Sequence, residues 1–189
     1  KDRKSKCMCF LLVLFISVLV SGMMVTRYQG QPEDAAALYA AHAVHMALYC
    51  LMLMAFVAYL RLTLGLQPRQ WRWQSRCIYI ALTLLALVGA TNPLHRQVLT
   101  ISPRTGLETP QSLYPIVSVA VCLILGLCLY KVVVQRKRPW QSGVALGFFC
   151  ASHILVVLMQ LYVSGGTGTD LTSLFAILVL YAGFYFEEN

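Results

Sequence analysis

Histidines are the residues of this 189-residue chain whose type and spacing could do chemistry in an apolar setting. His42 and His45 stand three apart, and Tyr49 follows four residues later, so the three share one face if the segment is helical. His153 lies in a second apolar stretch, with Gln160 two turns further along its face. An imidazole can bind a ligand by hydrogen bonds, exchange a proton near neutral pH, or ligate a haem iron or a metal. In hydrocarbon it also carries a cost unless a partner satisfies it. The plain alternative is that each histidine is a hydrogen-bonded packing residue between helices.

Other chemistry is sparse. There is no phosphate-binding loop, dinucleotide fingerprint, Gly-x-Ser-x-Gly elbow, His-Glu-x-x-His or paired Cys-x-x-Cys. No catalytic residue, metal site or cofactor is therefore expected, and the residues present do not read as an enzyme. Asp2, Glu33, Asp34, Glu108, Asp170, Glu187 and Glu188 all fall at the ends or between the apolar stretches. An ion-coupled transporter needs a carboxylate inside the membrane and broken, repeated helices, and neither is visible. Cys7, Cys9, Cys50, Cys77, Cys122, Cys128 and Cys150 form no disulfide framework. Cys7 and Cys9 sit where an acyl chain could attach, but a small apolar role is the simpler reading.

The elements that must position these residues follow from composition. The chain is 59% hydrophobic and 12% charged, with mean hydropathy +0.69, against about 45–50% and about 25% in a soluble domain. Its apolar residues fall in blocks close to the ~20 needed to cross a bilayer as a helix. Six spans are expected, over 8–25, 36–60, 77–91, 113–134, 142–163 and 171–186, forming one all-α membrane domain. The third is short and draws on its flanks. Gly143, Gly147 and Ala151, and Ala36, Ala40, Ala43 and Ala47, form small-residue faces suited to close helix packing.

Basic residues set the orientation. Lys1, Arg3, Lys4 and Lys6 precede the first span; Arg61, Arg69, Arg72 and Arg76 lie between the second and third; Lys131, Arg136, Lys137 and Arg138 lie between the fourth and fifth. Only Arg27, Arg96 and Arg104 fall on the other side. Excess Lys and Arg marks cytoplasmic loops, so both termini are expected in the cytoplasm of a multi-pass cell-membrane protein. The net charge of +8 is explained in this way and does not point to nucleic acid. By residue count, His45 and His153 both lie about 12–15 Å below the outer surface.

The third connection is the longest. Asn92-Pro93 ends a helix, Val98-Leu99-Thr100-Ile101 favours a strand, Ser102 to Gly106 holds turn residues, and Leu107-Glu108-Thr109 can run back. An extracytoplasmic hairpin near 97–110 is expected over the mouth of the bundle.

Thr91-Asn92-Pro93-Leu94-His95, Ile101 to Gly106 and Ser112-Leu113-Tyr114-Pro115, with Leu158 to Leu161, Thr169 to Thr172 and the end from Leu180 to Asn189, give the chain a familiar outline. It resembles the seven-helix input region of bacterial membrane sensors that precedes diguanylate cyclase or histidine kinase output domains. It departs in having six spans, which would place the family's first helix upstream of Lys1, and in lacking an output domain. The resemblance implies a cytoplasmic output domain or signalling partner, and a homodimer. The reading is a membrane sensory module that binds a small, neutral or lipophilic molecule through His45, Tyr49, Asn92, His153 and Gln160. Two alternatives stand beside it: a b-type haem protein ligated by His45 and His153, and a structural subunit of a membrane complex.

Overall fold

The chain is described from a computed structural model, which gives the backbone over 2–66, 68–134, 140–162 and 168–188 and side chains over 3–66, 71–134, 143–159 and 174–185. The described residues are almost entirely helical. Helix α1, Asp2–Tyr28, has a charged first turn followed by a largely apolar run and stops before Gly30, whose φ is +81°. A single 3-10 turn, Pro32–Asp34, leads into α2, Ala35–Leu64. Proline suits that entry because the first helical N–H has no partner to lose. Gly65 ends α2 in the left-handed region, with Leu66 N–H donating to Arg61 O at 3.2 Å, the Gly-terminated stop common at helix ends.

Helix α3, Pro68–Ala90, starts well before the apolar stretch expected from residue 77, since its first turns are amphipathic rather than apolar. The short turn α4, Asn92–His95, follows immediately, and Arg96 closes it at φ +52°. Strands β1, Leu99–Ile101, and β2, Glu108–Pro110, form an antiparallel hairpin in the register Leu99↔Pro110, Thr100↔Thr109 and Ile101↔Glu108. Helices α5, Leu113–Val134, α6, Trp140–Tyr162, and α7, Gly168–Glu188, complete the chain.

Consecutive long helices pack together, except that α3 meets α5 across the hairpin connection; α1 also touches α7, and α2 touches α5. Lys4 Nζ stands 5.7 Å from the Phe184 ring and Lys131 Nζ 5.3 Å from the Trp71 ring, gathering these helix termini at one end. The hairpin lies at the other. Among the described residues, four helices are long and apolar enough to cross a membrane: Arg3–Tyr28, Pro32–Leu64, Trp71–Ala90 and Leu113–Val134. Shorter apolar helical stretches run over Gly143–Met159 and Leu174–Tyr185. Phe10, Val13, Ile16 and Val20 of α1, and Ile116, Val119, Leu123 and Leu127 of α5, point outward. Such apolar faces suit lipid rather than water.

Close packing does not follow the small-residue faces. Ala36, Ala40 and Ala151 are exposed. A Cβ on Gly143 would meet nothing within 4 Å, and one on Gly147 would make only ordinary contact with Leu129 and Val132. The tight approach is at Gly89 of α3, where a Cβ would collide with the Met46 side chain of α2.

Candidate functional site

The two halves of α2 differ. From Cys50 to Leu64 most side chains are buried, whereas Ala41 to Tyr49 are partly or fully exposed. His42, His45 and Tyr49 lie in this looser half, and each turns to a different neighbour. His42 Nε2 is 2.6 Å from Glu108 Oε1 on β2. His45 Nδ1 is 3.0 Å from Ser21 Oγ on α1. Tyr49 stacks with His153 of α6, ring centroids 6.4 Å apart and planes at 28°.

The hydrogen bonds fix two proton positions. Ser21 Oγ–H donates to Val18 O at 2.8 Å, so its lone pair accepts from His45 Nδ1–H. His153 Nδ1 is 2.9 Å from Phe149 O, and a carbonyl can only accept, so Nδ1 carries the hydrogen. In the neutral ring, His153 Nε2 is then a bare acceptor. His153 is 1% exposed, and among the described residues nothing bonds this nitrogen. The Tyr49 hydroxyl is likewise buried and, among the described residues, has no partner, although its ring is partly exposed. Phe149 lies 4.1 Å from the His153 ring and 4.2 Å from Phe56. An acceptor and a donor, each without a described partner, therefore sit on neighbouring rings in an aromatic layer between α2 and α6.

Comparisons with protein-family models, curated proteins and solved structures returned no match. The geometry must carry the functional reading by itself.

Asn92 is committed elsewhere. It is buried, its Nδ2 donates to Leu99 O at 3.0 Å, and its Oδ1 accepts from Val98 N–H at 3.0 Å and Leu99 N–H at 3.3 Å. It therefore clamps the base of the hairpin. His95 braces the same turn: Gln97 N–H donates to Nδ1 at 3.1 Å, which places the ring hydrogen on Nε2, 3.2 Å from Val88 O. The side chain of Gln160 lies outside the described residues. Thus the structure brings Tyr49 and His153 together, turns His45 toward α1, and uses Asn92 to hold the loop.

The hairpin is docked rather than free. Gly30 N–H donates to Gly106 O at 3.0 Å, and Ile101 N–H donates to the Tyr39 hydroxyl at 3.0 Å. With His42–Glu108 this makes three ties to the start of α2 and the turn before it. Sequence reasoning missed Ser21, Tyr39, Glu108 and Phe149. Ser21, Tyr39 and Glu108 leave no local pattern, because their partners come from distant parts of the chain, while Phe149 pairs with His153 one turn away.

Thr63 Oγ1 and Trp71 Nε1 are also buried without a described partner, nearer the opposite end of the bundle. Trp71 Nε1 can only donate, and Thr63 Oγ1 can donate or accept. Among the described residues, no group of three or more His, Cys, Asp or Glu could hold a metal ion.

Proposed function

We propose that this chain is the membrane-embedded input module of a signalling protein, and that it binds a small neutral or lipophilic molecule between α2 and α6. Six helices cross the cell membrane with both termini in the cytoplasm, and the hairpin covers the outer mouth. The alternation of basic loops supports this orientation. The resemblance to sensor input regions supports the signalling role, a homodimeric parent and a cytoplasmic output domain or partner reached through α7.

The observation that carries the reading is the pair of orphan atoms, Tyr49 Oη and His153 Nε2. A buried polar group left unbonded costs ~1–3 kcal/mol. Two such groups on neighbouring rings make this packing costly by itself, and a ligand that satisfies both favours a different packing. That differential is what lets binding move helices. His45 is turned to Ser21 on α1, and Asn92 acts at one remove, by holding the cover. An outer face with few charged residues gives little electrostatic attraction, which favours an uncharged ligand.

Native mass spectrometry of the protein released from lipid nanodiscs tests the proposal. The wild type retains a small-molecule adduct that Tyr49→Phe and His153→Leu lose while staying folded. Spectra without an adduct in the wild type, or with the same adduct in all three, contradict it and favour a structural subunit.

A further inference from the structure

We infer that the group held between α2 and α6 is a neutral hydroxyl on a lipophilic molecule, which accepts from Tyr49 O–H and donates to His153 Nε2. This rests on the proposed input role and narrows its ligand.

The inference follows from what the two atoms lack. His153 has already used its ring N–H on Phe149 O, so Nε2 can only accept. The Tyr49 hydroxyl has no described acceptor for its hydrogen. A single group that serves both atoms must be able to accept and to donate. An ether or ketone only accepts, and an ammonium only donates. A carboxylate only accepts and also brings a charge, yet residues 36–60 of α2 and 143–159 of α6 contain no Lys or Arg to balance it. A hydroxyl meets both needs without charge.

The surroundings indicate the body that carries it. Phe56, Phe149 and His153 form a stack beside Tyr49, a layer suited to an apolar or aromatic body. Because both orphan atoms are buried, a hydroxyl reaches them when the Tyr49 ring leaves the His153 stack.

A matched pair of probes tests the assignment: 4-propylphenol, and 4-propylanisole, whose methyl ether accepts but cannot donate. Thermal unfolding of the full chain in nanodiscs is followed against each probe. The phenol should stabilise the wild type with an apparent Kd about tenfold below that of the anisole, the worth of one hydrogen bond. Tyr49→Phe should bind the phenol more weakly, and His153→Leu should abolish the preference for phenol over anisole. Equal binding of both probes to the wild type overturns the hydroxyl assignment while leaving an apolar site in place. A phenol preference that survives in both variants overturns it as well, because the hydroxyl is then read elsewhere. If neither probe stabilises the wild type, the assignment falls; the input reading falls with it only if the native spectra also show no retained molecule.

Discussion

Glu108 Oε1 stands 2.6 Å from His42 Nε2, joining the second strand of the hairpin to the first turns of α2. Both side chains are about one-fifth exposed, so the contact is partly shielded from water. It closes over the same α2 face that carries His45 and Tyr49. Replacing either partner by alanine should loosen the hairpin by about 1 kcal/mol. Hydrogen exchange at Ile101, whose amide bonds Tyr39, should then speed up about fivefold. The double variant should add little more. Unchanged Ile101 protection would show that the clasp does not hold the hairpin.

Gly106 and Gly30 both have positive φ, but they differ in space. A Cβ on Gly106 would lie 2.5 Å from Gln31 N and 2.8 Å from Gly30 C, while one on Gly30 meets nothing within 4 Å. Gly30→Ala carries only the ~1–2 kcal/mol of a left-handed alanine. Gly106→Ala adds a backbone collision and should undock the tip. Trypsin cleavage at the exposed Arg104 should accelerate much more in Gly106→Ala. Equal acceleration in the two variants would argue against the tight approach.

Gly89 offers a test of helix packing. Gly89→Ala forces Met46 aside and should cost about 1–3 kcal/mol, as overpacking does. Gly143→Ala has open space and should leave stability unchanged or raise it by up to about 1 kcal/mol. Unfolding midpoints in one detergent compare them directly. The reverse order would mean that α2 and α3 are not in close contact there.

The helices and the hairpin were legible in the sequence because each is a local property. Apolar runs give α2 and α5, Pro and Gly give the stops, and Val98 to Ile101 gives β1. The start of α3 was less visible, since Trp71 to Arg76 mixes apolar and basic residues in a helix that lies partly outside the expected span. The histidines were visible as unusual residues in apolar stretches, but their partners were not. His42 finds a carboxylate on β2, His45 a serine on α1, and Asn92 the backbone of a hairpin; those pairings depend on how helices rotate about their axes. Gly89 was overlooked because one glycine makes no repeat, while the regular Gly143, Gly147 and Ala151 pattern makes little close contact.

Orientation can be tested by single cysteines at Thr105 and Gln74, both exposed, in a chain whose native cysteines are replaced. A membrane-impermeant thiol reagent applied to intact cells should label Thr105→Cys and leave Gln74→Cys untouched until the cells are opened. Labelling of Gln74→Cys from outside would reverse the topology and remove the cytoplasmic exit.

The stability of Tyr49→Phe, measured on ligand-free protein, tests the binding site most directly. The change keeps the ring that stacks near His153 and deletes only the hydroxyl, which has no partner among the described residues. If that hydroxyl is held for a ligand, its removal relieves an unsatisfied buried group, and stability should rise by about 1 kcal/mol or more. If it serves as a hydrogen-bonding link between helices, stability should fall by a similar amount. A rise is the result this account predicts; a fall would contradict it.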